Sequence, residues 1–299
     1  MYYSNGKLLL TAEYAVLDGA LALGIPTKYG QSLKIAPSES DTLNWESVDA
    51  DGNLWFNASF DSATLKVISS SDSEIALALE GLLGKAKALN HEFHNQIGGL
   101  KIISQLTFPR NWGLGSSSTL INNVAQWANV NPYELLQHSF GGSGYDIACA
   151  QHDSPILYQL KEGIPIVEST PFDPPFKDQL FFVYLNQKQN SRDAIANYRK
   201  QNFNLDALVE ELSILTKRIL GIERISEFEW VLQNHEEILS KVLKIRPIKA
   251  LSFPDYFGTI KSLGGWGGDF ILATGNEKTP DYFKAKGFDI VIPYGDMVL

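Results

Sequence analysis

Gly113-Leu114-Gly115-Ser116-Ser117-Ser118 combines the residue types that receive an anion. Glycines let backbone N–H groups turn towards negative charge, and a helix opening at the serines adds free donors and the positive end of its dipole. Serine hydroxyls in a first helical turn bond phosphate or ligate Mg²⁺. The spacing is neither a Walker A loop, which needs Gly-Lys-Ser/Thr, nor the dinucleotide fingerprint. Taken alone, it also reads as a flexible turn whose serines cap a helix.

A second candidate is Asp146, within Gly142-Ser143-Gly144-Tyr145-Asp146. Small neighbours in a loop would let its carboxylate reach an acceptor hydroxyl as general base. A Gly-x-Asp turn is equally an Asx cap. Lys7 is the natural partner, because an ammonium beside the acceptor oxygen favours its deprotonated form and keeps the aspartate ionised. The competing reading is a surface lysine at a strand start. Arg110 precedes the glycine-serine segment, and Lys188 and Arg192 flank Asn190-Ser191. These could hold a carboxylate or phosphate, an arginine bidentately, or be solvated surface charges.

Other candidates carry less. His91 and His94 share a helical spacing but lie in a polar junction and read as surface residues. His235-Glu236-Glu237 lacks the second histidine of a metalloprotease helix and is expected on a solvated helix face. Cys149, without an evident histidine partner, reads as a small buried residue.

The elements that must position these residues are legible in outline. Residues 7–11, 32–36 and 54–60 are short, partly alternating runs bounded by turn formers and read as strands. Residues 74–89 read as a helix on the spacing of Ile75, Leu77, Leu79, Leu82 and Leu83. A strand is expected at 100–108, a loop at 109–115, and a helix at 116–128. Asn131-Pro132 starts a short helix over 133–140, followed by a loop at 141–145. Strands follow at 156–160 and 180–185. The pattern is helical from 205 to 243, broken near 221–223. Strands at 259–263, 270–274 and 290–294, with a helix at 280–286, complete an α+β chain.

With 299 residues, 44% hydrophobic and 20% charged, the chain can bury a substantial core. A net charge of −9 argues against general nucleic-acid binding, which needs a basic face. It is compatible with a small anionic partner held by a few local cations. One cysteine makes no internal disulfide, so a cytoplasmic location is expected. The apolar run after Lys7 is too short for a signal peptide, and nothing reaches the ~20 apolar residues of a membrane span.

Four segments read together resemble the GHMP kinases. Residues 5–19, Asn-Gly-Lys-Leu-Leu-Leu-Thr-Ala-Glu-Tyr-Ala-Val-Leu-Asp-Gly, are similar to the first motif of that superfamily, especially its phosphomevalonate kinase branch. Residues 109–118 resemble the second, phosphate-binding motif. Leu263-Gly264-Gly265-Trp266-Gly267-Gly268-Asp269 resembles the third, a glycine turn supporting the phosphate loop. Gly142 to Ala148 resembles the superfamily's Ser-Gly-x-Asp segment, and 144–148 resembles the signature of a subgroup named for the letters GYDIA. The motifs fall in family order and span nearly the whole chain.

The resemblance implies a ribosomal-protein-like N-terminal lobe, a ferredoxin-like C-terminal lobe, and a division into residues 1–170, the ATP-binding domain, and 171–299. It implies ATP and Mg²⁺, with Asp146 and Lys7 catalytic and Gly113, Leu114, Gly115, Ser116, Ser117 and Ser118 on the phosphates. Gly264, Gly265, Gly267 and Gly268 would support that loop. Arg110, Lys188, Ser191 and Arg192 would face the acceptor, and Ser117 and Glu134 the metal. The expected activity is phosphorylation of a small anionic metabolite, with mevalonate or phosphomevalonate favoured. A diphosphomevalonate decarboxylase, or a degraded member acting as a nucleotide or metabolite sensor, are the alternatives. A homodimer is compatible with the chain. Departures from the pattern are Asn5 for proline, Ala12 for glycine, and Ser118 and Thr119 for small alanines. Trp266 replaces glycine, either as a rigid wall or as a residue narrowing the nucleotide pocket. Glu134, near a helix start, stands in for the metal-binding glutamate of mevalonate kinases.

Overall fold

A computed structural model describes residues 1–96, 98–139, 141–187, 191–266 and 268–299, apart from the side chains of 94–96, 191 and 192. Lys188 and Gly267 therefore lie outside the described residues, as do the side chains of His94, Ser191 and Arg192. In chain order the elements are β1 (Tyr2–Leu9), β2 (Ala22–Pro37), β3 (Leu43–Val48), β4 (Leu54–Phe60), β5 (Val67–Ser70), α1 (Ser73–Leu89) and β6 (Leu100–Leu106). Then come α2 (Ser116–Ala128), α3 (Pro132–Gln137), α4 (Tyr145–Ala150), β7 (Ile156–Lys161), β8 (Ile164–Ser169), β9 (Leu180–Tyr184), α5 (Ser191–Arg199), α6 (Leu205–Ile219) and α7 (Ile225–Leu243). The chain closes with α8 (Ile248–Ser252), β10 (Ile260–Ser262), β11 (Phe270–Thr274), α9 (Thr279–Ala285), β12 (Val291–Pro293) and α10 (Tyr294–Met297).

Two compact units interleave along the sequence. The first comprises Met1–Gly6, Tyr29–Arg110 and Leu114–Gln151; the second comprises Lys7–Lys28, Asn111–Gly113 and His152–Leu299.

The first unit lays helices on a sheet of order β5-β4-β3-β6 followed by the later half of β2. β3 and β6 run parallel, and the other neighbours are antiparallel. Alternation puts Leu43 and Trp45 of β3, and Phe56, Ala58 and Phe60 of β4, into the core. Against them α1 buries Leu79, Leu82 and Leu83, and α2 buries Ile121, Val124 and Trp127. Asp72 caps α1 by accepting the Glu74 and Ile75 N–H groups.

In the second unit, the first part of β2 pairs antiparallel with β7, and β7 with β8. A separate four-stranded antiparallel sheet has the order β10-β11-β9-β12. With β9 as first strand this is 4-1-3-2, the split βαβ order of a ferredoxin-like lobe. Val183, Ile260, Ile271, Ala273, Phe253 and Phe283 form its core.

Two local expectations are corrected. The loop expected to carry Asp146 ends at Gly144, because α4 begins at Tyr145 and puts Asp146 in its first turn. A six-residue helix is too short to show a 3.6-residue period. His235 and Glu236 are not on a solvated face: both are buried, at 0% and 2% exposure. They continue the Phe228, Val231, Leu232, Leu239 stripe of α7. Their polarity hid a helical spacing that was present in the sequence.

Candidate active site

In the first unit, α2 opens at Ser116 directly after Gly115, which has φ of 90° in the left-handed region. Ser116 is half-buried and Ser117 exposed. Ser118 is buried and turns its hydroxyl inward, donating to the Gly115 carbonyl at 2.8 Å. Thr119 bonds the Gln31 side chain at 2.5 Å, and Asn123 donates to the Gln31 carbonyl at 2.9 Å. Gln31 in turn donates to Ser104 at 2.7 Å. Ser4 joins through Asn122 and Asn123, each at 2.9 Å. This buried polar net seats α2 on β2 and β6, and the sequence did not assemble it because Ser4, Gln31 and Ser104 lie far from α2 along the chain.

α4, carrying half-buried Asp146, packs against α2. Gly144 enters α4 at φ 89°. Arg110 lies over the Trp55 ring at 3.5 Å from its centroid, a cation–π contact that stiffens the approach to the loop. Glu134 is exposed in the first turn of α3, where Asn131 caps the helix.

In the second unit, three segments distant in sequence meet. The Lys7 ammonium donates to the Gly113 carbonyl at 3.1 Å. Gly113 has φ +67°, and a β-carbon there would lie 2.2 Å from Asp269 Oδ2. The Trp266 N–H donates to the Tyr14 hydroxyl at 3.1 Å. Lys7, Tyr14, Gly113, Trp266 and Asp269 thus interlock from three segments of this unit. Trp266 is buried, at 6% exposure. Trp112 anchors the middle segment edge-to-face on Phe270, with centroids 5.5 Å apart. The Tyr184 hydroxyl donates to the Asn111 carbonyl at 2.8 Å. Gly264 has φ 66°, and the Gly268 N–H donates to the Gly265 carbonyl at 3.2 Å.

Behind the Tyr14 turn lies a group of buried ionisable side chains that sequence reading did not assemble. Glu13 and Lys261 form an ion pair, with both side chains essentially inaccessible. His235 Nε2 accepts the Ala12 N–H at 2.8 Å and stands 3.3 Å from Glu13 Oε2. Glu236 accepts the Ser262 N–H at 3.0 Å. Burial raises the Glu13 carboxyl against the opposing pull of Lys261. Burial, followed by the Lys261 charge, drives His235 far below its usual range, so it is neutral. Burial pushes Glu236 up to about 8. Among the described residues, no three His, Cys, Asp or Glu side chains are grouped to hold a metal. No helix among them is long and apolar enough to cross a membrane.

The fold is that of the GHMP kinase superfamily. Methanococcus jannaschii mevalonate kinase is similar over 97% of this chain and 96% of its own, with a TM-score of 0.70 at 16% identity. A Streptococcus pneumoniae phosphomevalonate kinase, solved with phosphomevalonate and AMPPNP, is similar over 100% and 97% of the two chains, with a TM-score of 0.65 at 17% identity. A D-glycero-D-manno-heptose 1-phosphate kinase from Bacteroides thetaiotaomicron matches over 99% and 94%, with a TM-score of 0.65 at 15% identity. No family model matches the chain, and no curated protein sequence matches it.

Proposed function

We propose that this chain is an ATP- and Mg²⁺-dependent GHMP kinase that phosphorylates a small anionic metabolite, with mevalonate or phosphomevalonate the favoured acceptor. The observation that carries the reading is the interlock of Lys7, Gly113 and Asp269. It joins parts of the three segments that resemble the superfamily's first, second and third motifs. The phosphomevalonate kinase solved with AMPPNP and phosphomevalonate supports the choice of nucleotide and acceptor.

In this reading the 113–118 loop binds the ATP phosphates through backbone N–H groups, while 264–268 supports it. Asp146 takes the proton of an acceptor alcohol, and Lys7 offsets charge on the acceptor oxygen. If the acceptor is already a phosphate, Asp146 orients rather than deprotonates. Mg²⁺ would neutralise charge on the transferring phosphoryl group. It is bound mostly by phosphates and water in such sites, and an exposed Ser117 hydroxyl with Glu134 suits that loose requirement better than a dedicated cage. Arg110, Lys188, Ser191 and Arg192 are assigned to the acceptor side. Residues 1–170 would form the ATP-binding domain and 171–299 the C-terminal domain, in a reducing cytoplasm.

The test is ATP consumption by purified protein with mevalonate, phosphomevalonate, diphosphomevalonate and sugar phosphates in turn. Phosphorylated product with one of the first two supports the reading. Carbon dioxide release would indicate a decarboxylase, and nucleotide binding without turnover on any acceptor would indicate a sensor. With an alcohol acceptor, Asp146→Asn is expected to lower kcat by roughly 10²-fold or more while the fold persists. Unchanged turnover would remove Asp146 from the base role.

A further inference from the structure

The turn between β1 and β2 is backbone under strain. Ala12 and Tyr14 both have φ of 63°, a positive value that side-chain-bearing residues adopt at a cost of order 1 kcal/mol or more each. Neither is glycine, so something must hold the turn. The surrounding contacts identify what does. His235 of α7 accepts the Ala12 N–H. Lys261 of β10 holds the Glu13 carboxylate and also donates to the Ser262 carbonyl at 2.8 Å. Tyr14 stacks on Tyr198 of α5, with centroids 5.4 Å apart. Thr216 of α6 donates to the Thr11 hydroxyl at 2.8 Å.

A buried ion pair is a poor device for stability alone. Desolvation costs several kcal/mol per ion, and apolar replacements of similar volume are often neutral or stabilising. What Lys261 and His235 supply that an apolar pair would not is direction: one fixes the Glu13 carboxylate, the other the Ala12 N–H. The turn so held projects the Tyr14 hydroxyl to the Trp266 N–H, and Trp266 lies in the segment whose Asp269 abuts Gly113. We propose that His235 and Lys261 are positioning residues of the phosphotransfer site: they hold the 11–14 turn, and through Tyr14 and Trp266 that turn fixes the glycine segment against which Gly113 is seated. The proposal rests on the kinase reading for its catalytic consequence, but not for its structural content.

Three variants test it: His235→Leu, which cannot accept the Ala12 N–H; His235→Gln, whose amide oxygen can; and Lys261→Met combined with Glu13→Gln, which removes both charges and keeps the side-chain lengths. Hydrogen–deuterium exchange is read at the Ala12, Trp266 and Gly113 amides, with α1 as internal reference. Steady-state kinetics with ATP and the acceptor found in the panel run alongside. Exchange at the three amides is expected to rise in His235→Leu and in the double variant but stay near wild type in His235→Gln. The kcat of the first two is expected to fall roughly 10–100-fold, since ångström-scale misplacement has that effect, with His235→Gln recovering most of it. If His235→Leu does not fold, the double variant and His235→Gln carry the comparison. Wild-type protection at Ala12 and Trp266 in the double variant, or His235→Gln as impaired as His235→Leu, overturns the proposal. A wild-type protein that neither binds AMPPNP nor consumes ATP sinks the kinase reading instead, and the exchange result still decides whether His235 and Lys261 hold the turn.

Discussion

Gly113 shows how one missing side chain can be a structural requirement. Its positive φ and the nearness of Asp269 are separate obstacles to any β-carbon. Gly113→Ala is expected to cost about 1–3 kcal/mol in urea unfolding and to weaken AMPPNP binding. Gly52→Ala, at φ +87° with open space around it, isolates the backbone part of that cost. Equal losses in the two variants would mean that the Asp269 contact is unimportant. Glu236 gives a pH signature. Its carboxyl is raised to about 8 from an ordinary 4.5, so the folded protein holds a proton that the unfolded chain releases. Its contribution to stability is complete below pH 4.5 and is lost as pH rises through about 8. His235 is shifted the other way and weakens the fold only below its ordinary value of 6.5. Between pH 6.5 and 8, unfolding free energy should therefore fall with rising pH by on the order of 1 kcal/mol per unit, and Glu236→Gln should reduce that slope. An identical slope in the variant would place the proton elsewhere.

At the scale of elements, short connecting segments depend on large side chains. Residues 111–113 contain no helix or strand, yet Trp112 is buried against Phe270 and Tyr184. Trp112→Ala should destabilise the protein by about 3–5 kcal/mol, the usual cost of truncating a buried aromatic. It should also raise the Kd for AMPPNP, because Gly113 is the next residue. Calorimetry on the still-folded variant checks this, and an unchanged Kd would separate the segment from nucleotide binding. Helix α2 started at Ser116 and ended at Ala128 as read from sequence, since a glycine entry and an apolar period are local signals. β3, β5, β8, α4, α5, α8 and α10 were not read. β8 carries a weakly alternating, mostly exposed pattern, and β3 mixes Asn44, Glu46 and Ser47 among its apolar residues.

For the molecule as a whole, the chain crosses between its two units repeatedly, and the crossing after Gly113 falls inside the glycine-serine loop itself. A ligand that binds the folded protein and not the unfolded chain adds to its stability. AMPPNP with Mg²⁺ is expected to raise Tm in a concentration-dependent way, by about 2.7 kcal/mol of added stability at a hundredfold excess over Kd. No rise at any nucleotide concentration would count against the nucleotide site. The α+β class was legible because strand and helix periods alternate cleanly along much of the chain. The interleaving was not, because it is decided by pairings between residues far apart in sequence, such as Ala22 of β2 with Tyr158 of β7.

The sequence by itself determined the glycine and serine chemistry of 113–118, the helix behind it, and the family resemblance in four ordered motifs. These are local, since backbone freedom, capping and hydrophobic period act within a few residues. Only the tertiary structure brought Lys7 to Gly113, put Asp269 where a β-carbon would fall, and buried Glu13, Lys261, His235 and Glu236 together. Charged residues are read as solvated unless a partner is known, and here the partners come from β10 and α7, more than two hundred residues beyond Glu13.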